Sequence, residues 1–257
     1  MSKIEKLNPP LPKKIHFVWL GRQPLQPLAQ RCLGSWKKYL PDWEIKKWDE
    51  GNSPMNHPFV AKMMNRGLYA FASDYIRLHA LMEEGGLYLD TDVELLCSPD
   101  SILEYSGLTV GLLSLQNRLR KCSIGTSWIS APSKCLWVAK IKERYQNLDK
   151  AVMNNTIFTK EILPVFGCHE IPRDKKFDFF EASGARIYHP DYLNPVEQGL
   201  SGINTPVQKP NSMAIHHATG NWGGSEDPQA LWKRIFDMRL DRKLLRPIEN
   251  LFKRVRS

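Results

Sequence analysis

The sequence predicts an α/β fold in which helices flank a buried sheet. Apolar runs of strand length alternate with amphipathic helical patterns, which is typical of nucleotide-binding α/β sheets. At 257 residues, the chain is long enough to bury a sizeable core. Its composition, with 42% hydrophobic and 25% charged residues, is that of an ordinary globular protein.

The first elements follow the order strand, helix, strand. Lys14 to Leu20 is a strongly apolar run that ends at Gly21, and we predict a strand there. Leu28 to Tyr39 has the pattern of an amphipathic helix, which Pro41 ends. Trp43 to Trp48 is predicted to be the second strand. These three elements begin a nucleotide-binding type of sheet.

Later elements are predicted from shorter patterns. Helices are expected at His57 to Met64, from a cap at Ser133 to Tyr145, and at Thr156 to Val165. Strands are expected at Leu108 to Leu115, Trp128 to Ala131, Phe177 to Phe180, Arg186 to Tyr188 and Ala214 to Ile215. Residues 194 to 212 are rich in Pro, Gly, Asn and Ser, so we predict a long loop, and such loops are usually functional.

The stretch from Ala72 to Val93 carries the most informative pattern. Apolar residues recur at helical spacing from Ile76 to Leu81, and the pattern stops at Gly85-Gly86, which predicts a helix followed by a break. Leu87 to Leu89 is a short apolar run that suits a buried strand. We expect Glu94 to Leu96 to continue this strand.

Four charged residues in this stretch predict a site. Asp74 and Arg77 lie three apart on one helix face, and Asp90 and Asp92 flank Thr91 at the end of the strand. Carboxylates at the carboxyl end of a buried strand point into the crevice where α/β sheets bind ligands. We interpret Asp90-Thr91-Asp92 as a site for a divalent cation that carries a phosphate group. A D-x-D triplet alone is also common in solvated turns, so the surrounding pattern decides the interpretation.

The same stretch resembles the D-x-D region of glycosyltransferase family 32. The ordered pattern of that family runs through Ala72-Ser73-Asp74, Arg77, Gly85-Gly86, Tyr88, Asp90 and Asp92. The family includes yeast-type initiating mannosyltransferases and bacterial capsular-polysaccharide sugar transferases, and it is distantly similar to the glucosyltransferase domain of large clostridial toxins. The resemblance implies a GT-A fold with a Rossmann-like sheet, a nucleotide-sugar donor, Mn²⁺ or Mg²⁺, and transfer with retention at the anomeric carbon.

The resemblance also implies roles for individual residues. Asp74 and Arg77 would hold the hydroxyls of the donor sugar, and Arg77 would also neutralise the departing phosphate. Asp92 would be a direct metal ligand, while Asp90 would serve the metal or the ribose. The first strand resembles a family strand in which an aromatic residue stacks on uracil, so Trp19 would take that role with a UDP-hexose donor such as UDP-galactose or UDP-glucose. Trp19 as a core tryptophan is the alternative.

The segment from Met213 to Trp222 is the second chemical cluster. Related metal-dependent transferases carry a late metal ligand three residues before a glycine and five before a tryptophan. Counted back from Gly220 and Trp222, both spacings select His217, and a neutral imidazole suits Mn²⁺. His216 is the less favoured candidate, and a hydrogen-bonded histidine pair at a strand end is the structural alternative. The predicted metal ligands are therefore Asp90, Asp92 and His217, and Trp222 is expected to cover the diphosphate or the sugar.

The positive charge is concentrated at the carboxyl terminus. Nine Lys/Arg and three Asp/Glu residues lie between Leu231 and Ser257, so +6 of the net charge of +9 is found there. We expect a catalytic domain over residues 1–226 and basic amphipathic helices over 227–257. The first half of this tail is expected to cover the core, and Lys243 to Ser257 to bind an anionic membrane surface. Nucleic-acid binding is not expected, because no recognition motif is found.

Cysteine usage and the amino terminus predict the compartment. The five cysteines form no C-x-x-C pair, which argues against a zinc knuckle and a disulfide framework. The amino terminus lacks the apolar core of a signal peptide, so we expect a cytoplasmic protein, peripheral on the cytoplasmic face of the inner membrane. The expected acceptor is a lipid-linked oligosaccharide in capsule or O-antigen synthesis. A toxin-like protein glycosyltransferase and a non-enzymatic peripheral protein that binds a membrane or an acidic polymer are the alternatives.

Overall fold

The computed structural model describes residues 10–113, 123–166, 177–198 and 204–218. The helices in these ranges are α1 (Pro27–Tyr39), α2 (Pro58–Asn65), α3 (Tyr69–Glu84), α4 (Asp100–Leu103), α5 (Leu136–Glu143), α6 (Asn154–Ile162) and α7 (Pro190–Leu193), with a 3₁₀ turn at Leu163–Phe166. The strands are β1 (Lys14–Val18), β2 (Glu44–Trp48), β3 (Gly86–Leu89), β4 (Val93–Leu95), β5 (Leu108–Leu112), β6 (Ile124–Ala131), β7 (Phe179–Ala182), β8 (Ala185–Tyr188), β9 (Val196–Gln198), β10 (Asn204–Pro206) and β11 (Ala214–His216). Among these residues, no helix combines the length and the apolar character needed to cross a bilayer.

Within the described ranges, seven strands form one sheet in the order β2-β1-β3-β6-β5-β8-β7. β1 runs parallel to β2 and β3, and β5 runs parallel to β8. β6 is antiparallel to both of its neighbours, and β7 is antiparallel to β8. The carboxyl ends of β2, β1, β3, β5 and β8 consequently lie along the same edge of the sheet, which we call the site edge. The predicted α/β fold, with helices flanking a mainly parallel sheet, is confirmed.

Two hydrophobic clusters cover the two faces of this sheet. One cluster joins the sheet to α2, α3, α5 and α6 and includes Phe59, Tyr145 and Phe158. The other joins it to α1, α4 and α7 and includes Trp36 and Trp128. β1, β3 and β6 contribute side chains to both clusters, because successive strand residues point to opposite faces. The result is a three-layer arrangement, with the sheet between two layers of helices.

The start of β3 is fixed by glycines and by a buried histidine. Gly86 has a φ of 108°, and a Cβ at this position would lie 2.5 Å from the Lys14 carbonyl oxygen of β1. The Trp48 indole N–H donates to Nδ1 of His16 (3.1 Å), so Nε2 carries the hydrogen and donates to the Gly85 carbonyl (2.7 Å). Burial lowers the pKa of His16, which is neutral here. These contacts join β1 and β2 to the turn before β3.

The end of β3 differs from the prediction. Glu94 to Leu96 do not continue this strand, because the chain turns at the D-x-D triplet, where the Val93 N–H donates to the Asp90 carbonyl at 3.0 Å. The chain then enters β4, which pairs antiparallel with β11 in a separate two-stranded sheet. The turn places the acidic residues at the junction of the two sheets.

Two further predictions need correction. The expected loop at 194–212 contains the antiparallel strands β9 and β10 in its described parts. Ser133 does not cap α5, since the chain turns at Ser133 and Lys134, where Lys134 has a φ of 57°, and the helix begins after Cys135. The tail at 227–257 and Trp222 lie outside the described residues.

Candidate active site

The D-x-D turn lies at the site edge and is held by backbone hydrogen bonds. The Asp90 N–H donates to the Ser127 carbonyl of β6 at 2.8 Å, and the turn closes onto Val93. The side chains of Asp90 and Asp92 are partly exposed. Both carboxylates are therefore available to a ligand while their backbone is fixed.

Among the described residues, the metal-ligating side chains that come together are those of Asp90, Asp92 and His216. One ligand atom from each lies within 4.8 Å of the others, and we call these three residues the metal group. Nε2 of His216 is 3.3 Å from Oδ1 of Asp92. Ligand atoms on opposite sides of a Mg²⁺ ion lie about 4 Å apart, so a small closure suffices for coordination. Two carboxylates and one imidazole fit Mn²⁺, which accepts both oxygen and nitrogen ligands.

The pairing of β11 with β4 places His216 in the metal group. His216 lies opposite Val93, and the His217 N–H donates to the Asp92 carbonyl at 3.0 Å, so the pairing reaches the D-x-D turn itself. Although burial lowers the pKa of His216, the hydrogen bond and the negative charge of Asp92 outweigh it and raise this pKa overall. The negative charges of Asp92 and Asp90 therefore favour a cation at the position of this imidazole.

His217 has different neighbours. Its Nε2 lies 2.8 Å from Oε2 of Glu94, and the same carboxylate oxygen is 3.3 Å from Nη2 of Arg31 on α1. His217 follows the last residue of β11, so its side chain lies next to Glu94 while that of His216 lies next to Asp92. His217 as a metal ligand stays a prediction, and the geometry favours His216.

Arg77 joins the α3 helix to the D-x-D turn. Its Nη2 lies 2.9 Å from Oδ1 of Asp74, and its Nη1 lies 3.2 Å from Oδ1 of Asp90. Nη1 also donates to the Thr126 carbonyl at 2.7 Å, and Nη2 lies 3.3 Å from Oγ of Ser73. The structure therefore brings three of the predicted site residues, Asp74, Arg77 and Asp90, into one buried network.

The network places opposite charges in a nearly dry environment. Burial and the charge of Asp90 raise the pKa of Asp74 to about 7, against the lowering effect of Arg77. Burial would lower the pKa of Arg77, but Asp90, Tyr88, Asp74 and Tyr145 together outweigh burial and raise this pKa. Arg77 is thus a permanent cation beneath the site.

Tyr88 supports the network from β3. Its hydroxyl donates to Oδ1 of Asp90 at 2.8 Å, and the Arg77 guanidinium lies 4.5 Å from the centre of its ring. Tyr88 belongs to the motif, but no role was predicted for it from the sequence. A hydroxyl two residues before a strand-end carboxylate lies on the same strand face and could have been assigned to it.

Other polar residues at the site were not found from the sequence. The Asn154 amide donates to the Asp74 carbonyl at 3.4 Å, and the Thr126 hydroxyl to Asn155 Oδ1 at 3.4 Å. Asn194 accepts a hydrogen bond from Ser127 at 3.1 Å. These residues come from distant parts of the chain, and no spacing rule links them to the D-x-D triplet.

Trp19 follows β1, the neighbour of β3, and so lies at the site edge. It is partly buried, its indole N–H donates to the Gln23 carbonyl at 2.5 Å, and its backbone N–H donates to the Trp48 carbonyl at 2.9 Å. This position suits a base-stacking residue, and the stacking role stays a prediction. Trp222 lies outside the described residues.

The sequence around the D-x-D turn matches a known sequence family. Residues 27–108 match the sequence family described as a glycosyltransferase sugar-binding region containing a DXD motif. The match runs from the start of α1 to the start of β5, so it includes Asp74, Arg77, Asp90 and Asp92. It confirms the predicted enzyme class, a glycosyltransferase, for this region.

One curated relative aligns with this chain over a small part of its own length. It is the Subversion of eukaryotic traffic protein A of Legionella pneumophila, which is 31% identical over a region covering 35% of this chain and 18% of that protein. The chain thus aligns with less than one fifth of this relative.

Several solved structures have a partly similar backbone fold at low sequence identity. The PaToxG glycosyltransferase is 17% identical with a TM-score of 0.47, covering 63% of this chain and 72% of that chain. A glycosyltransferase involved in glycosylation of the major capsid of PBCV-1 is 11% identical with a TM-score of 0.45, covering 83% and 96%. The galactosyltransferase LgtC, solved with donor and acceptor sugar analogues, is 13% identical with a TM-score of 0.43, covering 91% and 99%.

At these identities and TM-scores, the structural similarity says nothing about the substrate of this chain. The sequence match and the D-x-D turn carry the assignment. Residues 27–108 thus match a glycosyltransferase sugar-binding region that contains a D-x-D motif.

Proposed function

We propose that this protein is a metal-dependent, retaining glycosyltransferase that moves a hexose from a nucleotide sugar to a saccharide acceptor. The observation that carries the proposal is the convergence of Asp90, Asp92 and His216 at the site edge, within 4.8 Å of one another. The family match over residues 27–108 supports the same reaction class.

The metal group would hold Mn²⁺ or Mg²⁺. When bound, the ion supplies Lewis-acid stabilisation of the charge that develops on the departing diphosphate. Asp92 contributes a carboxylate on the turn, and Asp90 contributes one that Arg77 and Tyr88 orient. His216 completes the group from the neighbouring strand.

The donor is proposed to be a UDP-hexose, with UDP-galactose and UDP-glucose as the first candidates. Trp19 follows β1, the strand next to β3, and from there its indole would stack on the uracil. Asp74 and Arg77 lie beneath the turn, in reach of the donor sugar. Because both side chains are largely buried, they contribute through a small exposed part and through the orientation they give to Asp90.

Retention requires a particular approach of the acceptor. We propose that the acceptor hydroxyl attacks the anomeric carbon from the face that the leaving group vacates. The bond to the diphosphate breaks as the new glycosidic bond forms, and a diphosphate oxygen takes the hydroxyl proton. This scheme needs no covalent nucleophile from the protein.

The acceptor is proposed to be a lipid-linked oligosaccharide, in capsule or O-antigen synthesis. A catalytic domain over 1–226 followed by basic helices over 227–257 would act at the cytoplasmic face of a membrane, because the excess of positive charge in the tail favours anionic lipid. The 31% identity to a Legionella protein named for subversion of eukaryotic traffic favours a second candidate, toxin-like transfer to a protein acceptor. Incubation with labelled donor and each acceptor class distinguishes the two.

The donor and the metal are tested by thermal stability. A panel of nucleotides and nucleotide sugars is measured with Mn²⁺ and with a chelator, since a ligand that binds the native state raises the melting temperature. We expect Mn²⁺-dependent stabilisation by UDP and by one UDP-hexose. Stabilisation by GDP-mannose instead would contradict the assigned donor, and no stabilisation by any nucleotide would contradict the proposed function and favour a binding protein.

A further inference from the structure

β4 is held along its length by α1. The Trp36 indole N–H donates to the Val93 carbonyl at 2.8 Å, and the Leu95 N–H donates to Oγ of Ser35 at 2.9 Å. Arg31, one helical turn before Ser35, reaches Glu94 of the same strand at 3.3 Å. Each residue of β4 is therefore tied to one face of α1.

Glu94 also connects β4 to His217, the residue that follows β11. Its Oε2 is 2.8 Å from Nε2 of His217. Nη2 of Arg31 is also 3.4 Å from Nε2 of His217, but an imidazole nitrogen that donates to Glu94 cannot accept from Arg31. We assign the Nε2 hydrogen to the shorter contact, so His217 donates to the Glu94 carboxylate. The same carboxylate also pairs with the Arg31 guanidinium.

The antiparallel pairing explains why these side chains meet. Glu94 lies opposite Ile215, and strand alternation places His217 on the same face as Ile215. His216 and Val93 lie on the opposite face, where His216 meets Asp92. A chain position that brings His217 to Glu94 therefore also brings His216 to Asp92.

We propose that Arg31, Glu94 and His217 form a clamp that fixes His216 beside Asp92. This proposal rests on the proposed function, because it assigns Glu94 and His217 as positioning residues for the metal group. In it, His217 is not a metal ligand. The clamp joins α1 to the residue that follows β11.

The clamp is exposed enough that its effect on overall stability is expected to be small. The side chains of Arg31, Glu94 and His217 are 58%, 25% and 23% exposed. Exposed ion pairs contribute little to folding. Residues that orient metal ligands, by contrast, typically change metal affinity by about 10-fold to 100-fold when they are removed. Metal affinity is therefore the informative measurement.

The test measures Mn²⁺ binding to the full chain by electron paramagnetic resonance, where free Mn²⁺ gives the detected signal. Glu94→Ala, His217→Ala, the double variant and His217→Gln are compared with the unmodified chain. Glu181→Ala is the matched control. Glu181 lies on β7, the edge strand of the sheet, and pairs with Arg186 of β8 at 2.7 Å. Circular dichroism verifies that each variant is folded.

The clamp predicts that Glu94→Ala and His217→Ala each weaken Mn²⁺ binding about 10-fold. The double variant should bind Mn²⁺ no more weakly than either single variant, because the two substitutions break the same contact. His217→Gln should restore binding, since its amide N–H can donate to Glu94.

Two results would overturn the clamp. Additive losses, with no rescue by His217→Gln, would make His217 a direct ligand. Binding that stays unchanged in Glu94→Ala would show that the contact has no positioning role. Both results leave the metal site intact, whereas absence of Mn²⁺ binding by the unmodified chain would contradict the proposed function itself.

Discussion

Nη1 of Arg77 lies 3.2 Å from Oδ1 of Asp90, and this contact connects the α3 helix to the first carboxylate of the D-x-D turn. The Arg77 side chain is 6% exposed, so the guanidinium approaches Asp90 from inside the protein. Arg77 holds Asp74 at the same time. The Arg77 guanidinium is therefore buried between the carboxyl groups of Asp74 and Asp90.

Removal of the Arg77 charge should destabilise the fold. Arg77→Met leaves Asp74 and Asp90 without their cation, and breaking a buried pair costs about 3–5 kcal/mol of unfolding free energy. Urea denaturation measures this change. Arg144→Met is the control, since Arg144 is 57% exposed in its pair with Glu161 and should change stability by less than about 1 kcal/mol. Equal losses in the two variants would refute the buried network.

Loss of His216 should weaken metal binding. His216→Ala removes the imidazole of the metal group, and we expect at least about 10-fold weaker Mn²⁺ binding by calorimetric titration. His189→Ala is the control, because His189 is similarly exposed and lies 3.6 Å from Asp191, outside the metal group. Unchanged Mn²⁺ affinity in His216→Ala would show that this histidine is not a ligand.

Two glycines should respond to alanine with opposite signs. In Gly86→Ala, the new Cβ would lie 2.5 Å from the Lys14 carbonyl oxygen at a φ of 108°, so we expect a loss of more than about 2 kcal/mol. Gly34 lies within α1 with open space around it, and Gly34→Ala should gain about 1 kcal/mol from helix propensity. Thermal denaturation of both variants tests this. A tolerated Gly86→Ala would mean that β3 does not approach β1 as described.

Glu84 should make stability depend on acid pH. Burial alone would raise the pKa of Glu84, but hydrogen bonds from Lys14 and Lys46 lower this pKa from 4.5 to about 2. The stabilisation is complete above about pH 4.5 and is lost as the pH falls towards 2, because the folded state resists protonation. It amounts to at most about 3 kcal/mol.

The Glu84 prediction is checked by urea denaturation between pH 2 and pH 7. Glu84→Gln should lower the unfolding free energy at neutral pH and make it less dependent on pH in the acid range. Glu44→Gln is the control, since Glu44 is 59% exposed and lies 3.7 Å from the same Lys14. An unchanged pH profile in Glu84→Gln would contradict the assignment.

The sequence predicted local features well, because they depend on neighbouring residues. The α3 helix, the glycine break and the strand before Asp90 follow from apolar spacing and from two glycines. The D-x-D triplet and its partners Asp74 and Arg77 lie within one short stretch, so their proximity could be inferred. The turn after Asp90 was missed because the apolar residues of β4 continue the strand pattern in the sequence, although they pair with β11.

Features that depend on distant pairing were not predictable. The choice between His216 and His217 depends on the register of β11 against β4, and a shift of one residue exchanges the two faces. Spacing from Gly220 selected His217, whereas the strand register brings His216 to Asp92. Thr126 and Asn154 reach the Arg77 network only because β6 and α6 pack beside α3.

The most direct test of the proposed transferase is release of UDP from a UDP-hexose without acceptor. The reaction is followed with Mn²⁺ and with a chelator, for the unmodified chain, for Asp92→Ala and for the exposed control Asp42→Ala. We predict Mn²⁺-dependent UDP release by the unmodified chain and by Asp42→Ala, and none by a folded Asp92→Ala. Equal release by Asp92→Ala, or release that persists in chelator, would contradict a metal-dependent site at the D-x-D turn.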